Sequence, residues 1–157
     1  MDNSEGISVD IFLKPRVLKS KNKSPRMLIK INDTVLGEFD AVPDEVGILK
    51  VSYNLQVPEG PNELSIALIN KDSTQDTVVT DAGEILDDLN CEILGITCEG
   101  VELDNLIRLH GTYYLDEVVH FNNEDHKVIP SHTFLSWNGT YKFRFNSPLY
   151  VWLLENL

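Results

Sequence analysis

Two cysteines, thirteen basic side chains and 8% aromatics are little for a chain of 157 residues that carries twenty-five acids. The net charge of -12 argues against a non-specific grip on nucleic acid and favours solubility. Two thiols, Cys91 and Cys98, are too few for a disulfide framework. They lie seven residues apart in one extended stretch. At about 3.3 Å per residue that separates them by roughly 23 Å, beyond disulfide reach, and puts them on opposite faces of an unbroken strand. Both are expected free and buried, since a zinc site would want closer pairs with ligands in register. No apolar run approaches the roughly 20 residues of a membrane span. The start, "MDNSEGISVDIFLKP", has no basic region and no long apolar core, so no leader is expected and synthesis in a reducing cytoplasm is. Neither a G-x-S-x-G elbow nor an H-E-x-x-H pair occurs. The vicinal Asp87 and Asp88 point to opposite sides of an extended chain, which suits no glycosidase pair across a sugar. A non-catalytic protein is expected.

What the chain has is period-two alternation. "ISVDIFL" places Ile7, Val9, Ile11 and Leu13 on one face, and "LKVSYNLQV" sets Leu49, Val51, Tyr53, Leu55 and Val57 against Lys50, Ser52, Asn54 and Gln56. "MLIKINDTVLGEF" predicts two strands about an Asn32-Asp33 turn, and "CEILGITC" a strand before a Glu99-Gly100 turn. "LDNLIRL" suits a strand or a short helix. "FLSWNGTYKFRF" predicts a hairpin turning at Asn138-Gly139, and the terminal "SPLYVWLLENL", apolar on both faces, predicts a central strand with Trp152 in the core. Residues 110–133 are turn-rich and give no clear element; "HFNNEDH" within them is expected to be exposed loop. With 42% apolar content and no linker or repeat, residues 1–157 are expected to form one all-β domain, a single antiparallel β-sandwich of jelly-roll type.

Charge is unevenly placed. From Asp72 to Asp104 there are ten acids and no lysine or arginine, whereas Lys14 to Lys30 holds seven bases and no acid. The basic run lacks aromatics for base stacking, so nucleic acid is not an expected partner; a loop leaning towards the acidic segment is. The acidic stretch, "NKDSTQDTVVTDAGEILDDLN", leaves three readings open: a cation site, a surface for a basic partner, or a solvated loop. For the first, Asn70, Asp72 and Asp76 from one loop and Asp87, Asp88 and Asn90 from the next could pool the six to eight hard oxygens that Ca²⁺ takes.

"SPRMLIKINDTVLGEF", "EGPNELSIALINKD", "DDLN" and "CEILGITCEGV" together resemble the calcium-dependent xylan-binding modules over residues 25–101. The resemblance implies a β-sandwich, calcium ligands at or near Asp72 and Asp88 with Asn70 and Asn90 close by, and carbohydrate as partner. Leu89 stands where those modules carry an arginine, "VVTDAGEI" has no counterpart, and their aromatic platform has no placed equivalent. Trp137, Tyr113 and Tyr114 are the candidate rings for stacking on a sugar. "WNGTYKFRFNSPLYVWLLENL" and "NKDSTQDTVV" also resemble small proteins of tailed phages of marine cyanobacteria. That likeness implies host cytoplasm and then a virion as location. It also raises a different function, assembly with other virion proteins without sugar binding.

Overall fold

The alternating stretches become strands throughout the computed structural model, which describes residues 4–156. In chain order they are β1 (Glu5–Arg16), β2 (Arg26–Ile31), β3 (Thr34–Asp40), β4 (Leu49–Val57), β5 (Gly60–Leu68), β6 (Thr77–Val79), β7 (Ile85–Asp88) and β8 (Asn90–Cys98). β9 (Val101–Glu102), α1 (Leu106–Leu109), β10 (Gly111–Phe121), β11 (Glu124–Pro130), β12 (Phe134–Leu135), β13 (Gly139–Ser147) and α2 (Leu149–Asn156) follow. One sheet runs β12-β8-β1-β4 with β9 beside β8, and the other β11-β10-β13-β5-β2-β3; β6 and β7 form a separate pair. Every pairing is antiparallel, and the chain repeatedly crosses between sheets, from β1 to β2, β3 to β4, β4 to β5 and β12 to β13. This is the expected sandwich. No helix among the described residues is long and apolar enough to cross a membrane.

The core lies between the sheets. Ile7, Val9, Ile11 and Leu13 of β1 face Ile29, Leu64, Ile66, Tyr141 and Phe143 from the opposite layer, all within one buried cluster. Burying each such side chain contributes about 1.5–3 kcal/mol before chain entropy is counted. The two-residue turns use left-handed backbone where expected: Asn32 has φ 52°, and Glu99 and Gly100 have 50° and 76°.

Three local expectations are corrected. Cys91 and Cys98 share the core face, because β8 is not uninterrupted: Phe12 pairs with Gly95 and Leu13 with Ile93, which leaves Leu94 as a bulge. One extra residue reverses the parity of everything beyond it. Asn138-Gly139 makes no hairpin. Phe134 and Leu135 pair with β8 in one sheet while β13 pairs with β10 and β5 in the other, so the segment crosses layers. Gly139 is there for space, since a Cβ would come within 2.5 Å of the Tyr114 carbonyl oxygen and 2.9 Å of the Tyr113 ring. The terminal segment is helix, not central strand. Leu149, Trp152 and Leu153 are buried at helical spacing, and the Glu5 carboxylate accepts from the Leu149 N–H at 2.9 Å where the helix begins. A short apolar run fits either element by periodicity alone. Within 110–133, β10 and β11 turn through Asn122 and Asn123, both left-handed.

Candidate functional site

The chain leaves β5 through Asn70 and Lys71, turns at Asp72, and returns so that Thr77 lies opposite Asp88 across the β6–β7 pair. That return gathers Asp72, Asp76, Asp87 and Asp88, and each of these four has a partner within the protein. Asp76 is completely buried. Its Oδ1 accepts from the Lys21 ammonium at 3.0 Å, and its Oδ2 from the Lys23 ammonium and from the Asp72 N–H at 2.8 Å. Burial pushes its pKa up, but these donors outweigh burial and hold the carboxyl down at about 2. Asp88, also buried, accepts from the Lys71 ammonium at 2.9 Å and the Thr77 hydroxyl at 2.7 Å on Oδ1, and from the Asn90 amide at 2.7 Å on Oδ2. Here too burial opposes and the donors prevail, lowering the pKa.

Asp87 accepts from the Ser20 N–H at 2.8 Å and the Lys19 N–H at 3.2 Å, and the Ser20 N–H above all lowers its pKa. Asp72 folds onto Thr74, taking its hydroxyl at 2.7 Å and N–H at 3.0 Å. The Thr74 hydroxyl is the main cause of its lowered pKa. Asn70 accepts from the Arg26 N–H at 2.7 Å and donates to the Ser24 carbonyl at 2.9 Å. The basic run thus leans onto the acidic segment, its Lys21 and Lys23 ammonium groups on Asp76 and its Lys19 and Ser20 N–H groups on Asp87, while Lys71 supplies the base for Asp88.

Calcium would need six to eight oxygens converging on one point. These six residues are brought into one neighbourhood, but the carboxylate oxygens of Asp76 and Asp88 face ammonium and amide groups, and those of Asp87 face backbone N–H groups. Among the described residues no three His, Cys, Asp or Glu side chains gather closely enough to hold a metal. The donor set as arranged does not fit a divalent cation.

Lys71 was the residue to notice: it is the lone base between Asn70 and the base-free stretch beginning at Asp72. Only 8% exposed, it donates from Nζ to Asp88 and, at 2.6 Å, to the Ser136 carbonyl. Its backbone is held on both sides by Asn138, whose Oδ1 accepts from the Lys71 N–H at 2.8 Å while Nδ2 donates to the Lys71 carbonyl at 2.7 Å. Three segments meet at this side chain.

Beside that junction lies a groove of about 450 Å³. Lys71, Asp72 and Ser73 form one wall, Asp116 to His120 another, and Trp137 with Asn138 a third. Asp116, Glu117 and Val118 project because β10 bulges: Tyr114 pairs with Val128 and Val119 with His126, so the residues between have no counterparts on β11. The half-buried Trp137 ring stacks on Phe121 at 5.3 Å, and Phe121 on His126 at 3.8 Å. Sequence reasoning missed Asp116 and Glu117, since a multi-residue bulge leaves no periodic signal.

The three candidate rings do not converge. Tyr113 is fully buried, with its hydroxyl bonded to the Trp137 carbonyl and accepting from the Trp137 N–H at 3.2 Å. It positions Trp137 and has no face free for a sugar. Tyr114, its strand neighbour, points to the outer face of the larger sheet between Lys142, 5.1 Å away, and Arg144, 5.8 Å away. Only Trp137 lines the groove.

No protein-family model matches the sequence, and no curated protein matches it. Among solved structures the fold is similar to that of vCBM60 in its selenomethionine form, described as one of two families of calcium-dependent carbohydrate binding modules linked by circular permutation. The TM-score is 0.54 at 12% identity, over 87% of this chain and 89% of the other. That likeness establishes the fold. No comparison supports the likeness to phage proteins.

Proposed function

We propose that this protein is a non-catalytic carbohydrate-binding module whose ligand lies in the groove against Trp137. The observation that carries the reading is the make-up of that groove: an indole backed by a second and third ring, with Asp72, Asp116, Glu117 and Asn138 around it. A pyranose offers an apolar CH face ringed by hydroxyls, so an aromatic wall beside convergent acceptors and donors is its natural complement. The shared fold with a solved carbohydrate-binding module supports the same reading. Calcium dependence is a property of that neighbour, and the ammonium-filled junction gives no reason to carry it over.

Glycan arrays and affinity electrophoresis on plant and microbial polysaccharides test the proposal. Binding should appear and should be lost in Trp137→Ala. Asp116→Asn with Glu117→Gln, two isosteric changes at exposed positions, should weaken it with little change in the melting temperature. Tyr114→Ala, on the other sheet face, should leave it intact. No binding on broad arrays, with and without calcium, would refute the module and leave the sandwich as an interaction scaffold, the virion-assembly role included.

A further inference from the structure

Two carboxylates, Asp76 and Asp88, are buried at the same end of the sandwich, and burying them uncompensated would be prohibitive. The compensation comes from three lysines on two segments distant from each other in sequence. Lys21 and Lys23 reach Asp76 from the loop after β1, and Lys71 reaches Asp88 from the loop after β5. Lys71 goes further than neutralisation. Its ammonium ties Asp88 of β7 to the Ser136 carbonyl in the β12–β13 crossing, while its own backbone is clamped by Asn138. An ammonium held by a carboxylate and a carbonyl from two different segments is in the environment a hard cation would take. It also excludes such a cation by like-charge repulsion at close range.

We propose that Lys71, assisted by Lys21 and Lys23, is a built-in counter-ion: it joins the loops around the Trp137 groove in place of a divalent metal, so the fold and the groove form without calcium. Lys71 is a positioning residue. It lines the groove together with Asp72 and Ser73, so the contact that neutralises Asp88 also fixes one wall. Only the statement about the groove rests on the carbohydrate reading; the statement about the fold stands without it.

The test compares melting temperature in EDTA, in millimolar CaCl₂ and in NaCl of equal ionic strength, with calcium titration calorimetry alongside. For the unmodified protein calcium should do no more than NaCl and give no binding heat. Lys71→Met should lower the melting temperature by ten degrees or so in every buffer, and Lys71→Arg, which keeps the charge, should recover most of it. Should Lys71→Met not fold, Lys21→Ala with Lys23→Ala should give a salt-sensitive loss, because those two lysines are partly exposed while Asp76 is buried, and no loss there would overturn the counter-ion account. A calcium-specific rise in the unmodified protein, or a Lys71→Met variant as stable as the original, would overturn the proposal. Glycan binding, where found, should survive EDTA. Absence of any glycan binding would strike the groove reading alone and leave the calcium result standing.

Discussion

The side-chain amide of Asn138 pairs with the backbone of Lys71 at both ends, accepting its N–H at 2.8 Å and donating to its carbonyl at 2.7 Å. An amide side chain is here doing what a neighbouring strand would do. It joins the β12–β13 crossing to the loop after β5, and both flank the groove. Asn138→Ala should leave that N–H and carbonyl without their partner and destabilise the fold by about 1–3 kcal/mol. Asn138→Asp should be worse, since it removes the donor and sets a carboxylate oxygen against the Lys71 carbonyl. Urea titration measures both. An Asn138→Asp variant as stable as the original would show the clamp to be dispensable.

How much of this was legible follows from what kind of signal each feature leaves. The strands of "ISVDIFL" and "LKVSYNLQV" repeat every two residues, and the structure returns them with the predicted faces inward. Leu94 leaves no such mark: a bulge is a single residue without a partner, and only the pairing of Phe12 with Gly95 and Leu13 with Ile93 exposes it. Asn138-Gly139 carries the residues of a tight turn but serves a close approach and a side-chain clamp, which depend on chains remote in sequence. The acidic cluster was visible as composition. Its neutralisation by Lys21, Lys23 and Lys71 was not, because two of the three lie about fifty residues upstream of the aspartate they meet.

The thiols offer a direct check on the core. Burial, with Glu92 for Cys91 and with Glu99 and Asp10 for Cys98, pushes each thiol up to about 12. A thiolate is the reactive species, so the native protein at neutral pH should react with a disulfide reagent on the order of a hundredfold or more slowly than a free cysteine. In denaturant both should titrate promptly without reductant, since both are free. Fast modification of the folded protein would mean that the β8 face is not packed as described.

Gly139 tests the layer crossing. A methyl group there meets the Tyr114 carbonyl at 2.5 Å, the Tyr113 ring at 2.9 Å and the Leu115 Cα at 3.0 Å. Two of the three are backbone atoms that can scarcely yield. Gly139→Ala should therefore destabilise by about 1–3 kcal/mol, as overpacking does. It should also loosen Trp137, which is bonded to the same Tyr113. A red shift of tryptophan emission before the main unfolding transition would report that loosening. Gly139→Ala with unchanged stability would argue instead for an ordinary exposed turn.

Acid should weaken the fold in two stages, because groups of two kinds have lowered pKa values. His132 is half-buried and stacked on Tyr113 at 5.7 Å, and burial lowers its pKa below the ordinary 6.5. The unfolded chain takes up that proton more readily than the folded one, so stability begins to fall as pH drops through about 6.5. Asp76, held at about 2 against an ordinary 3.8, and Asp88, lowered in the same direction, work at lower pH. Their contribution is fully present above 3.8 and is lost as pH falls towards 2, when protonation releases Lys21, Lys23 and Lys71 from their partners. Urea midpoints measured from neutral pH to about pH 2 should show both stages. Lys21→Ala with Lys23→Ala should shrink the lower stage and leave the upper one in place. His132→Phe, which keeps the stack, should remove only the upper one. A flat profile over that range, or a double lysine variant with the unaltered profile, would contradict the ion-pair account of the acidic junction.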